Sequence, residues 1–219
     1  MNIFLFTLAW LMTTALAFGQ GSTQSNPQRE IGETKEAAAQ ALATFQKLGR
    51  QTSFKAMGFE SADEMSAATL DEPMPVFMVE LNDLRGYQAG SDPNKLLKPI
   101  DKVIYPVKTG AQVRSSIILQ KSKEGWKASD FGGPNFARLV TRARDESVKA
   151  TSLPLTAYFV VQAPALNAYF LGYRQDDKLM LVSLIDDPAL NLRAGTALPA
   201  EQVFEDLSAV ARKYNGLPM

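Results

Sequence analysis

Apolar residues follow one another from Ile3 to Phe18 with only small or mildly polar interruptions, and no charged side chain appears before Arg29. The run falls short of the roughly 20 apolar residues a membrane-spanning helix requires and has the length of a signal-peptide core. Small residues in Ala15-Leu16-Ala17 and Ala17-Phe18-Gly19 predict cleavage after Ala17 or Gly19, making residues 1–19 a signal peptide. The start carries no Lys or Arg, so an uncleaved anchor is the competing reading. Residues 20–33 hold almost nothing apolar to bury and read as a flexible polar leader.

From Thr34 onward the periodicity becomes that of a folded domain. Ala38, Ala41, Leu42, Phe45 and Leu48 recur at three and four residues, predicting a helix that Thr34 caps and Gly49 ends. Ser61, with Glu64 three residues on, is a capping box for a second helix to about Leu70. Pro73 and Pro75 then lead into a strand over 76–81. Between Lys102 and Phe131 three β-runs are separated by Thr109-Gly110 and Lys123-Glu124-Gly125, a meander. In its middle strand Val113, Ser115, Ile117 and Leu119 alternate with Arg114, Ser116, Ile118 and Gln120, predicting one covered and one largely wet face. Pro134 opens a helix to about Ser147 with Phe136, Leu139, Val140 and Ala143 as its core stripe. Strands follow at 155–162, 168–174 and 179–185. A closing helix over 199–214 buries Val203, Phe204, Leu207, Val210, Ala211 and Tyr214 and stops at Asn215-Gly216.

The segments 75–87 and 157–169 match at a constant offset: Phe77 with Phe159, Val79 with Val161, Leu84 with Leu166, Tyr87 with Tyr169. The fold class expected is α+β, antiparallel β-meanders with flanking helices in one domain over 34–219. Halves at 34–150 and 151–219 are the candidate pseudo-repeat.

Composition narrows the chemistry. Lys plus Arg and Asp plus Glu stand at 23 each, so no basic excess exists to neutralise a phosphate backbone and nucleic acid is not an expected partner. Hydrophobic residues make up 46% of the chain, enough for a sizeable core. With no Cys, neither a disulfide nor a lipoprotein cysteine is available; with no His, imidazole-based triads and the usual catalytic zinc sites are closed.

The remaining candidates are individually modest. Asp130-Phe131-Gly132 spells the metal-binding triplet of protein kinases, but no glycine-rich loop accompanies it. Gly132 and Gly133 ahead of a helix start could offer N–H groups to an anion, with Arg138 and Arg142 further along one face. The plain account of these arginines is a solvated charge ladder completed by Glu146. No Ser-x-x-Lys occurs, and the Thr versions at Thr44/Lys47 and Thr52/Lys55 sit in no recognisable motif. Asp176-Asp177 and Asp186-Asp187 read as turn residues. Tyr169, Leu171 and Tyr173 alternate onto one strand face, a stripe that either grips a ligand or lies beneath a helix such as 199–214.

No catalytic residue, metal site or cofactor is assigned. The expectation is an exported, periplasmic or extracellular, non-catalytic binding or chaperone-like accessory protein whose ligand is a protein, peptide or small molecule, with no stable membrane span once the signal is removed. The alternatives are a hydrolase built on carboxylates or Lys, and an inhibitor-like or pro-segment-like docking domain. Gly132, Gly133, Arg138, Arg142, Tyr169 and Tyr173 are the candidate ligand-binding residues.

Overall fold

The computed structural model describes residues 27–51 and 54–214; the expected signal peptide, residues 20–26 of the leader and the Asn215-Gly216 stop lie outside them. The chain runs α1 (Pro27–Gln51), α2 (Ala62–Ser66), β1 (Thr69–Leu70), β2 (Met74–Met78), α3 (Leu81–Gly86), β3 (Lys98–Thr109), β4 (Gln112–Ser122), β5 (Gly125–Gly132) and α4 (Pro134–Thr151). It continues through β6 (Phe159–Ala163), β7 (Ala168–Gln175), β8 (Lys178–Ser183), β9 (Ala197–Pro199) and α5 (Ala200–Ala211). This is an α+β fold.

One mostly antiparallel sheet, ordered β5-β4-β3-β2-β6-β7-β8-β9 with β1 paired to β3, forms the middle layer. Two four-stranded meanders meet at its centre, where β2 and β6 pair in parallel with Val76 opposite Val160 and Phe77 opposite Val161. Parallel neighbours need a long crossover, and here it comprises α3, β3, β4, β5 and α4. Val76 and Val160 share the face beneath α4; Phe77 and Val161 share the other.

Three apolar clusters fix the helices. Ala38, Ala41 and Phe45 of α1 bury against Val103, Tyr105, Val107, Ile117 and Leu119 on one side of the first meander. On the same side of the second meander, α3 and α5 bring Leu84, Val203, Phe204 and Leu207 onto Phe159, Val161, Phe170 and Leu181. The opposite side is served by α4, where Val140 and Ala143 pack with Met74, Val76, Ile104, Val160, Leu171 and Val182.

Several sequence expectations change. The first helix begins at Pro27 rather than Thr34, so residues 27–33 are helical and not leader. Thr34 is a buried interior residue, its hydroxyl donating to Ile31 O at 2.8 Å and accepting from the Tyr105 hydroxyl. The capping box holds, with the Ser61 hydroxyl accepting from Glu64 N at 3.0 Å, but α2 stops at Ser66. The strand expected over 76–81 ends at Met78, and α3 follows because Leu84 has a buried place against α5. Residues 155–157 form a 3-10 turn before β6.

Strand β4 has no wet face over its centre: α1 covers Ile117 and Leu119, and Ser116, on the other side, is buried as well. Leu139, assigned to the α4 stripe, is 43% exposed, and Ala137, Thr141, Arg144 and Ser147 are buried in its stead. The sheet edge at β9 is short, three residues ending in Pro199.

Candidate functional site

The chain leaves β5 and enters α4 through Gly132 (φ 123°) and Gly133 (φ 62°), backbone that favours glycine. The Ser116 hydroxyl donates to Gly132 O at 2.6 Å, and Gly133 O accepts the Ala137 N–H at 2.9 Å. Pro134 occupies the first turn. The glycine pair therefore makes the reversal that lays α4 back across the sheet.

That placement sorts the helix into two faces. Underneath, Val140 and Ala143 fill the core, and Arg144, wholly buried, donates to Glu72 O at 2.7 Å and to the Asp71 carboxylate at 2.8 Å. Outside, Arg138 donates to the Asn135 side-chain oxygen at 2.7 Å and Arg142 to Glu146 at 2.9 Å. The charge ladder is thus half formed: Arg142 and Glu146 pair, while Arg138 turns to a neutral amide. With side chains 79% and 53% exposed, the Arg142–Glu146 pair is a loose one, in the class of helical i,i+4 pairs worth about 0.3–0.5 kcal/mol.

Because α4 is the one helix among the described residues that crosses this side of the sheet, a cleft opens on each flank. One, of about 600 Å³, lies between α4 and the β3–β4 turn and includes Val113, Arg114, Arg138, Thr141 and Lys149 in its walls. The other, of about 210 Å³, lies toward Ser183, Leu184, Ala194 and Gly195. Leu139, Arg142 and Glu146 line both, so they form the ridge between them. The larger cleft falls in the range of ligand pockets.

Within it Arg114 is fixed by Glu64 at 2.6 Å and Glu60 at 3.1 Å. Lys149 has no ion-pair partner among the described residues. Thr141 is 4% exposed, and its hydroxyl has no hydrogen-bond partner among the described residues.

The other sequence candidates lie elsewhere. Tyr173 is buried and meets Tyr158 with ring centroids 5.5 Å apart; burial, with Tyr158 beside it, pushes its phenol above the ordinary value. Tyr169 is half-buried and meets Phe136 of α4 edge-on at 5.6 Å. The tyrosine stripe lies beneath α4, not beneath the closing helix. Arg138 and Arg142 come together on the outer face, Gly132 and Gly133 serve its approach, and Tyr169 and Tyr173 pack its underside.

Compared with protein families, curated proteins and solved structures, the chain matches none of them. The site therefore rests on its own geometry.

Sequence reasoning found the arginines and missed Leu139, Thr141 and Arg114. Leu139 had a signal in its spacing from Arg142, three residues on and so a neighbour on the helix surface. A further cavity, of about 440 Å³, opens beside the start of α5, with Asp92, Asp177, Lys178 and Glu201 among its walls. Asp92 is already used there: its carboxylate accepts from the Asn94 side chain and backbone N–H, both at 3.0 Å, and these bonds hold its pKa below the ordinary value. No helix among the described residues is long and apolar enough to cross a membrane, and no group of three potential metal ligands occurs among them.

Proposed function

We propose that the mature chain acts outside the cytoplasm as a non-catalytic binding or accessory protein that takes an extended segment of another protein across α4. The observation carrying this reading is Leu139, exposed on the ridge between two clefts and flanked by Arg138 and Arg142. An apolar centre within a polar rim is the anatomy of protein interfaces. The apolar run 3–18, followed by small residues, supports export.

Selection from a random peptide display library against the mature chain tests the surface. Peptides that bind the wild type and not Leu139→Asp are expected; a selection without any Leu139-dependent binder ends the reading. Intact-mass measurement of the exported protein tests the address, with a chain beginning after Ala17 or Gly19 expected and a chain that retains residues 1–17 counting against it.

A further inference from the structure

Resting on that reading, we infer that the segment received across α4 is an acidic peptide, its carboxylates meeting Arg138, Arg142 and Lys149 and an apolar side chain resting on Leu139. The cations carry the argument. Arg138 is held only by a neutral amide oxygen, Lys149 has no ion-pair partner among the described residues, and Arg142 has only the exposed Glu146. Arg114, in the same wall, is already neutralised by Glu64 and Glu60 and is not counted.

Two carboxylates oppose the inference, Asp145 and Glu146, which line the same cleft. Glu146 is engaged with Arg142 and lies at the ridge. A bound carboxylate displaces it by exchanging one exposed ion pair for another, a substitution with little net cost. Asp145, four residues before Lys149 on α4, offsets part of its charge, so the acidic groups of the ligand must be spaced to reach the cations on either side of it.

An extended chain meets that requirement, since its alternate residues point the same way and acidic side chains can alternate with apolar ones. Thr141 also lines the larger cleft, but its hydroxyl is enclosed as well as unpaired among the described residues, so it is not counted as a contact for the ligand.

Fluorescence anisotropy decides the matter with three labelled probes offered to the mature chain: a short peptide alternating Glu with Leu and Phe, its counterpart with Lys for each Glu, and its counterpart with Ser for each Leu and Phe. The Glu probe is expected to bind about tenfold or more tightly than either counterpart, a difference of about 1.4 kcal/mol. It should weaken as salt rises and lose about tenfold in affinity on Arg138→Glu. Both Arg138 and Leu139 are exposed, so an unchanged melting temperature certifies each variant as folded.

Equal or tighter binding of the Lys probe, or a Glu probe indifferent to Arg138→Glu, overturns the inference. Capture by phosphatidylglycerol vesicles with no binding of the Glu probe overturns it also. Leu139-dependent binding of the Lys probe leaves the docking surface standing and removes only its acidic specificity, whereas a display selection without Leu139-dependent binders removes both.

Discussion

Arg144 of α4, with no exposed surface, donates to the Asp71 carboxylate at 2.8 Å, and this pair ties the helix that carries the clefts to the segment entering β2. Asp71 also accepts from Lys108 at 3.1 Å, and its backbone N–H donates to Pro106 O at 2.8 Å. Removing one partner of a buried pair leaves an uncompensated charge. Asp71→Asn is therefore expected to destabilise toward the lower end of about 3–5 kcal/mol, since Asp71 keeps some exposure. Arg144→Met, which removes the charge and keeps much of the volume, should cost less than the variant that strands the guanidinium. Urea unfolding of both variants checks the order.

The same carboxylate sets an acid limit. Burial pushes the Asp71 pKa upward, but the Glu72 backbone N–H, Arg144 and Lys108 outweigh it and hold the group below its ordinary value of 3.8. A depressed folded-state pKa contributes stability that is complete above the unfolded value and is lost as pH falls through the folded one. Thermal melts should thus show a loss below about pH 3.8 that is smaller in Asp71→Asn, where the Asp92 contribution remains. A variant with an unchanged acid slope refutes the assignment.

Thr34 and Tyr105 bind α1 to the sheet through a hydroxyl–hydroxyl bond of 2.5 Å. The Thr34 hydrogen goes to Ile31 O, so the Tyr105 hydroxyl is the donor between them. Thr34→Val strands a buried phenol and is expected to cost about 1–3 kcal/mol. The double variant with Tyr105→Phe should be no worse than Thr34→Val alone, which a double-mutant cycle measures directly.

Gly172 on β7 is an absence required by a neighbour. A Cβ built there would lie 2.4 Å from the Phe159 ring, which meets Phe77 edge-on at 5.1 Å and carries the Arg174 guanidinium 5.6 Å from its centroid. Gly172→Ala should displace that ring and cost about 1–3 kcal/mol as an overpacked core. A melting temperature equal to wild type would show that the ring has room to move.

Leu139 separates surface from core. Leu139→Ser is expected to stay within about 0.5 kcal/mol of wild type, as surface changes do, whereas Val140→Ala, one residue on and fully buried, should lose stability through its cavity. Equal losses at both positions would place Leu139 back in the core.

The meander 98–132, α4 and α5 could be read from the sequence because their signals are local: alternation with turn residues between strands, three-four periodicity with a proline or glycine at the boundary. The capping box at Ser61 and the helix start at Pro134 belong to the same class, each needing only a few neighbouring residues. The Arg142–Glu146 pair was likewise visible as spacing on one helix.

What only the tertiary structure decided lies between elements distant in sequence. Leu139 has the periodicity of a core residue, yet it is exposed because α4 is the one described helix on its side of the sheet and turns Val140 inward, with Arg144 drawn down to Asp71. Arg144 reads as surface in any local pattern, and its burial depends on a carboxylate held over 70 residues earlier in the chain. The parallel pairing of β2 with β6 depends on where two meanders meet, a register set by packing on both faces of the sheet. Periodicity fixes which residues of an element are apolar; which of them are covered depends on how many other elements reach that face, and that number is a property of the assembled sheet.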